Sequence, residues 1–406
     1  MKNTLLFQIL FFSFFASSCI SFSSDRAVPT ISSIPPAHAT NTSVAEKTPT
    51  TLPTASITPA VINKPGIHYL ALNEINIDEI ENLAKFGAPN DSCLISSQVD
   101  SALETRLVNG QLEYLLASKD RENNNILIWN IETRTITQIL IETDSNSVLF
   151  SPDQKTLITF SNSDTSTLIL WDIQSGSQQI TYKLNGYYDD RISISQDGLR
   201  IGLFSGNSYV EDWQISEFNL QTNQINDTDY DFPLYRETPP PHVYSSKGNL
   251  VAVTYAKDDK LHLLDLTNNK DTVLQFPFRN LEEVGLAEAF VSTLSVSANE
   301  KYVAGGTLGG DIYIWSFADG SLLRVFKAHE TNMADGWIGG VKILEFSPES
   351  NLLLSVGYDG FTKLWVTGEE NALKEIDTCH TFGGFTQDGR YLVLVGKNGV
   401  EIWGIP

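Results

Sequence analysis

The sequence predicts an all-β chain, a seven-bladed β-propeller of four-stranded antiparallel blades whose ring is closed by an N-terminal strand. Three observations carry this. A Ser-type turn, an apolar run, a second turn and an apolar-aromatic-polar-apolar tetrad recur at a spacing of roughly 40 to 50 residues, the mark of stacked supersecondary units. The runs are short, rich in Val, Ile, Leu, Tyr and Phe, and bounded by Gly, Asn, Asp and Pro, as strands are. The last copy stops at its third run, so its fourth strand has to come from elsewhere in the chain.

The first 18 residues read as a leader. Lys2 precedes an apolar stretch from Leu5 to Phe15, and Ala16, Ser17 and Ser18 lead to Cys19. A basic start, a short apolar core and small residues at a cleavage point make a secretory signal. The alternative is an uncleaved anchor, because apolar character persists to Phe22 and approaches the ~20 residues of a spanning helix. Residues 19–65 are dominated by Ser, Thr, Pro and Ala with hardly an apolar cluster, a composition that cannot offset chain entropy by burial. They are expected to be a solvated, disordered tether.

The propeller is expected over 66–406. Its closing strand lies at about 79–87, around Ile80-Glu81-Asn82-Leu83-Ala84-Lys85-Phe86-Gly87, which matches the outer strand ending Leu323-Arg324-Val325-Phe326 in character. The Ala and Glu content leaves a short helix on the side of the ring as the rival. Blades follow over about 93–406. Their Trp-type positions are Trp129, Trp171, Phe218, Leu264, Trp315, Trp365 and Trp403. Upstream of these stand the turns at Val108-Asn109-Gly110, Ser151-Pro152-Asp153, Ser195-Gln196-Asp197-Gly198, Ser245-Ser246-Lys247-Gly248, Ser297-Ala298-Asn299, Ser347-Pro348-Glu349 and Thr386-Gln387-Asp388-Gly389.

These residues resemble the WD-repeat propellers, from about Ile75 to Pro406, with the Trp365 copy the nearest match. The resemblance implies that His329, Ser355, Asp359 and Trp365 form a hydrogen-bonded tetrad from loop to indole. The other six units lack the full set. It also implies protein binding on a loop-built end of the ring, and it transfers no catalytic residue. The small residues before Cys19 likewise resemble the bacterial lipoprotein box. That implies a diacylated Cys19 and a chain held in the cell envelope, outside the cytoplasm.

With 27 basic against 49 acidic residues, a net charge of −22, the surface repels phosphate backbones and nucleic acid is not expected as a partner. Beyond Cys19 the only cysteines are Cys93 and Cys379, each entering an inner strand, one of the first blade and one of the last. An oxidising compartment permits a disulfide between them; two buried thiols are the alternative. The connections from outer to inner strands are long and aromatic, and they emerge on one face. Tyr187, Tyr188, Tyr230, Phe232, Tyr235 and above all Trp337 are the candidate binding residues there.

Catalytic chemistry has little to stand on. Asp227-x-Asp229-x-Asp231 has Phe232 where a calcium loop needs Gly and Thr238 where it needs a bidentate acid. The six histidines show no metal-ligand spacing, no nucleophile elbow or phosphate loop appears, and no cofactor or metal is expected. The predicted inner strands 191–195 and 342–346 offer Glu345 and little else. The expected function is therefore a membrane-tethered scaffold binding another envelope or extracellular protein. A hydrolase or lyase acting at the central channel is the second reading.

Overall fold

The computed structural model describes residues 81–86 and 101–404, apart from 109–110, 121–123, 142–144, 163–164, 187, 190, 208–209, 228–240, 256–259, 277–289, 335–336, 368, 378 and 397–398. The expected leader and tether, Cys19, Cys93, Tyr187, Tyr230, Phe232 and Tyr235 lie outside the described residues.

Strand β1 (Glu81–Phe86) comes first. Blade 1 is β2 (Ser101–Val108), β3 (Gln111–Asp120), β4 (Asn125–Asn130) and β5 (Thr135–Leu140). Blade 2 is β6 (Ser147–Phe150), β7 (Thr156–Ser161), β8 (Thr167–Asp172) and β9 (Gln178–Lys183). Blade 3 is β10 (Ser193–Ile194), β11 (Arg200–Asn207), β12 (Val210–Asn219) and β13 (Gln224–Asp227). Blade 4 is β14 (His242–Tyr244), β15 (Leu250–Tyr255), β16 (Leu261–Asp265) and β17 (Lys270–Val273). Blade 5 is β18 (Val291–Val296), β19 (Tyr302–Thr307), β20 (Asp311–Ser316) and β21 (Leu322–Lys327). A separate hairpin follows, β22 (Asn332–Ala334) with β23 (Trp337–Gly339). Blade 6 is β24 (Val341–Phe346), β25 (Leu352–Gly357), β26 (Phe361–Val366) and β27 (Ala372–Asp377). Blade 7 is β28 (His380–Phe385), β29 (Leu392–Gly396) and β30 (Gly399–Gly404), completed by β1.

The ring is thus seven four-stranded antiparallel sheets, and the N-terminal strand closes it. The segment around Ile80 to Gly87 forms a strand and not the alternative helix, because its backbone pairs antiparallel with β30, from Glu81 opposite Gly404 to Phe86 opposite Val400. The inner strand expected at 191–195 is shorter, only Ser193–Ile194.

The turn chemistry explains the repeat. In blades 2 to 7 the Ser-type residue (Ser151, Ser195, Ser245, Ser297, Ser347 or Thr386) is buried. Its hydroxyl accepts the backbone N–H that opens the next strand, as from Arg200 to Ser195 at 3.0 Å and from Leu352 to Ser347 at 3.0 Å. Three residues after it the chain turns left-handed, at Gln154, Gly198, Gly248, Glu300, Ser350 and Gly389. At the other turn of blades 1 to 4, Asn130, Asp172, Asn219 and Asp265 accept N–H groups two or three residues on. Such Asx turns are what short polar side chains do after a strand. The N–H and hydroxyl of Ser175 hold the Asp172 carboxyl below the usual carboxylate range.

The indoles leave a second signature. Opposite Trp129, Trp171, Trp315, Trp365 and Trp403 the outer strand carries a bulge, with Thr137, Gln179, Leu323, Leu373 and Leu83 as the extra residue. Opposite Phe218 and Leu264 the pairing runs without a shift. The bulge bends the outer strand where the large ring stands, and it disappears where the ring does.

The core lies between blades, in seven apolar clusters, one for each neighbouring pair. Leu115, Ile128, Leu157 and Trp171 join blades 1 and 2, and Phe160, Leu168, Leu203 and Phe218 join blades 2 and 3. Tyr114, Leu116, Val393 and Ile402 join the last blade to the first. There the Tyr114 hydroxyl donates to Asp388 at 2.7 Å, and burial followed by that carboxylate pushes the phenol up.

Gln154 occupies a left-handed position (φ 63°) with a side chain that makes no contribution to the core. Gln154→Gly should relieve that strain and stabilise the propeller by about 1 kcal/mol, read as a higher urea midpoint at unchanged slope.

Candidate functional site

Antiparallel order puts the outer-to-inner connections and the β25–β26 type of hairpin on one end of the ring. The Ser-type and Asx turns lie on the other. The first end holds what the sequence singled out. The hairpin β22–β23 stands between blades 5 and 6 and places Trp337 at the start of its second strand.

The tetrad begins on this face and runs into blade 6. His329 Nδ1 lies 3.0 and 3.1 Å from the two Asp359 oxygens, and its Nε2 lies 2.8 Å from Ser355 Oγ. Trp365 Nε1 donates to the same Ser355 oxygen at 2.9 Å. Ser355 receives the indole proton, so its own hydroxyl proton goes to His329 Nε2, and the Nδ1 proton faces Asp359. Burial raises the Asp359 carboxyl, but the hydrogen bond from His329 and the N–H groups of Phe361 and Glu330 outweigh it, and the net shift is downward. His329 and Ser355 are buried, and every polar atom of their side chains is paired within the network.

Two partial versions of the network stand in other blades. Trp129 Nε1 donates to Ser118 at 3.1 Å and Trp171 Nε1 to Thr159 at 3.0 Å. Ser118, Thr159 and Ser355 each sit two residues beyond the strand neighbour of their Trp. A hydroxyl at that offset is the sequence signal, and it is visible without the His or Asp. In blade 5 that place is Gly305, and Trp315 turns to the Gln275 carbonyl at 2.8 Å. In blade 7 Glu401 replaces the hydroxyl, accepting from Trp403 at 3.3 Å and from Asn82 of the closing strand at 3.1 Å.

Tyr188 is not on the surface. It is buried among Ile158, Phe160, Ile201 and Leu203, between blades 2 and 3, and burial and then the Asp227 charge raise its phenol. The reason is the loop's anchoring. Tyr188 bridges to Ser205, Asp189 N–H donates to the Phe204 carbonyl at 2.8 Å, and Ser166 donates to the Gly186 carbonyl at 3.1 Å. Just beyond, Asp189 holds Arg191 at 2.7 Å. Tyr188 therefore leaves the candidate face, and its neighbour Tyr187 remains on it only as a sequence expectation.

Cys379, immediately before β28, is disulfide-bonded. Glu345, the one acid expected near the channel, serves a joint between blades. Its Oε1 accepts the Phe385 N–H of β28 at 3.2 Å, at the place where Ser295 accepts the Phe346 N–H of β24 at 3.1 Å. Burial pushes its carboxyl up to about 7. Among the described residues no group of three or more His, Cys, Asp or Glu is placed to hold a metal. His242, His262 and His380 are hydrogen-bonded to the Gly202 carbonyl, to Asp271 and to Thr362, and His380 Nε2 faces Glu401 at 3.9 Å.

Ser355→Ala should strand two buried groups, Trp365 Nε1 and His329 Nε2, and cost about 2–4 kcal/mol in chemical denaturation. Glu345 gives a pH signature of its own. A carboxyl that holds its proton longer in the folded than in the unfolded chain loses stability as pH rises from about 4.5 to about 7. Relative to Glu345→Gln, the wild type should therefore weaken by on the order of 2 kcal/mol across that window, and a flat difference would refute the burial.

Comparison with known proteins agrees with this geometry. Residues 320–366, covering the outer strand of blade 5 and three strands of blade 6, match the family model described as WD domain, G-beta repeat. The chain is 20% identical over 249 residues to the Periodic tryptophan protein 2 homolog of Dictyostelium discoideum, a match covering 58% of this chain and 24% of that protein. It is 32% identical over 75 residues to Protein ROOT INITIATION DEFECTIVE 3 of Arabidopsis thaliana (18% of this chain, 15% of that one). With Telomerase protein component 1 of Rattus norvegicus it shares 24% identity over 202 residues (49% and 6%). The matches thus span a quarter or less of each relative's own length. Residues 320–366 thus match a WD repeat within a ring of seven four-stranded sheets, and the indole-hydroxyl bonds of blades 1, 2 and 6 are the features the ring shares with that repeat.

Proposed function

We propose that this propeller is a scaffold tethered to a membrane outside the cytoplasm, binding another envelope or extracellular protein. The binding face is the end that carries the outer-to-inner connections. WD40 propellers are usually non-catalytic and bind other proteins. The observation that carries the choice of face is the hairpin β22–β23, strand structure added beyond the seven blades and containing Trp337. Tyr187, Tyr230, Phe232 and Tyr235 belong to connections of the same end, and aromatic anchors of this kind dominate protein interfaces.

The location rests on the leader over residues 1–18, on lipidation of Cys19 and on the tether over 19–65. The Cys379 disulfide supports an oxidising compartment. With Cys19 acylated, its partner is Cys93, which would join the start of the first blade to the start of the last. An enzymatic reading would draw on Glu345, an acid poised near neutrality, and the Phe385 N–H already engages it.

Affinity capture from a membrane fraction tests the face. The intact chain should retain a partner that Trp337→Ala with Tyr187→Ala loses at an unchanged melting temperature; equal capture by both would move the site elsewhere. Mass spectrometry of the same material should find acyl chains on Cys19 and a Cys93–Cys379 peptide that separates on reduction. A free, unacylated Cys19 would remove the tether from the proposal.

A further inference from the structure

One hydroxyl, Ser118 or Thr159, serves the indole of blade 1 or blade 2. In blade 6 Ser355 passes the chain of bonds on to His329 and Asp359, and the bonds continue to the hairpin β22–β23. That hairpin stands on two legs. In the first, the N–H groups of Ala328 and His329 donate to the Gly310 carbonyl, both at 2.9 Å, and the N–H of Glu330 donates to Asp359 Oδ2 at 3.0 Å. In the second, the Gly340 carbonyl accepts the Tyr358 N–H at 2.9 Å. The legs meet at the turn between β19 and β20. A β-carbon on Gly340 would collide with the Gly310 backbone, and one on Gly310, which takes φ 90°, would collide with the His329 carbonyl. Between the legs, β22 pairs with β23 and with no other strand among the described residues. A lone two-stranded hairpin is marginally stable at best, so its order has to come from its feet.

We infer that His329 and Asp359 are positioning residues for this hairpin, through the bond from the Glu330 N–H to the Asp359 carboxylate. Each carboxylate oxygen takes one backbone donor, Oδ2 that of Glu330 and Oδ1 that of Phe361. His329 Nδ1 lies against both oxygens, and its Nε2 is held by Ser355. One unbroken series of bonds thus joins the Trp365 indole, inside the blade, to the first leg of the hairpin. The inference rests on the proposed binding face for its purpose, because Trp337 opens the second strand of the hairpin. The series can be cut in two places with different consequences. Loss of the carboxylate releases the leg, whereas loss of the Ser355 hydroxyl leaves Asp359 with both of its backbone donors.

Hydrogen exchange on the full chain is the test, read by mass spectrometry on peptides from β22–β23 and from β25–β27. The wild-type hairpin amides should be protected. Asp359→Ala should speed their exchange by roughly tenfold, the loss expected when one such bond at the foot is removed. Ser355→Ala should lower the melting temperature and leave the hairpin exchanging at the wild-type rate. If Asp359→Ala does not fold, Asp359→Asn keeps the shape, replaces an accepting oxygen by a donor and should produce the same local change. Hairpin amides that exchange as a free chain in the wild type, no change in either Asp359 variant, or an equal rise in Ser355→Ala would each overturn the inference. Affinity capture separates this result from the choice of face. An Asp359 variant with a loosened hairpin that still holds a partner lost by Trp337→Ala with Tyr187→Ala would refute the positioning role and spare the face. A partner kept by every variant would refute the face, and the exchange pattern would still support the footing.

Discussion

The ring depends on one pairing, that of β1 with β30. Neither strand has a neighbour on that side from its own part of the chain, and without the pair blade 7 would end in an open edge. The chain ties the junction in several ways at once. Asn82 donates to Glu401, which also receives the Trp403 indole, and Tyr114 reaches from blade 1 to Asp388 of blade 7. The apolar cluster of Tyr114, Leu116, Val393 and Ile402 does for this junction what the other six clusters do for theirs. The bulge at Leu83 shows β1 bent as the outer strands of blades 1, 2, 5 and 6 are bent, so it works as a true fourth strand.

Around that closure each blade solves the same local problem with whatever residues it has. The indole needs an acceptor and finds a hydroxyl in blades 1, 2 and 6, a carbonyl in blade 5 and a carboxylate in blade 7. Blades 3 and 4 dispense with the indole and lose the bulge along with it. Among the described residues, blade 6 alone extends the bond outward through His329 to Asp359, which ties its loop face to its core. That extension starts at His329, shortly before the hairpin β22–β23 in the chain, so the network stands next to the end proposed to bind.

Most of this architecture was legible because it is periodic. Turn residues and indoles at fixed offsets specify strands whatever their neighbours do, and the tetrad at His329, Ser355, Asp359 and Trp365 followed from the resemblance of the Trp365 copy to the WD repeats. The closing strand was harder. Its Ala and Glu suit a helix, and the free edge of β30, 319 residues away at the Asn82–Glu401 bond, decides for a strand. Tyr188 could not be read from sequence, since an aromatic beside Asp189 in a loop looks exposed until the loop's backbone bonds turn it inward. The hydroxyls Ser118 and Thr159 were hidden for the opposite reason. Their signal is an offset from Trp across a strand pair, and it carries meaning only once the register is known.

The same closure imposes an order on assembly. A ribosome delivers β1 before the other strands of the propeller and β30 after them, so β1 has to wait, unpaired on its working side, until the rest of the propeller has been made. The intermediate blades can dock on their predecessors as they appear, but the seam cannot form early. Such non-local pairing is slow, because the loop it closes is nearly the whole propeller. Until the seam forms, the nascent chain is an open arc with a sticky end at each tip, and that interval is when it most needs shielding from its own kind.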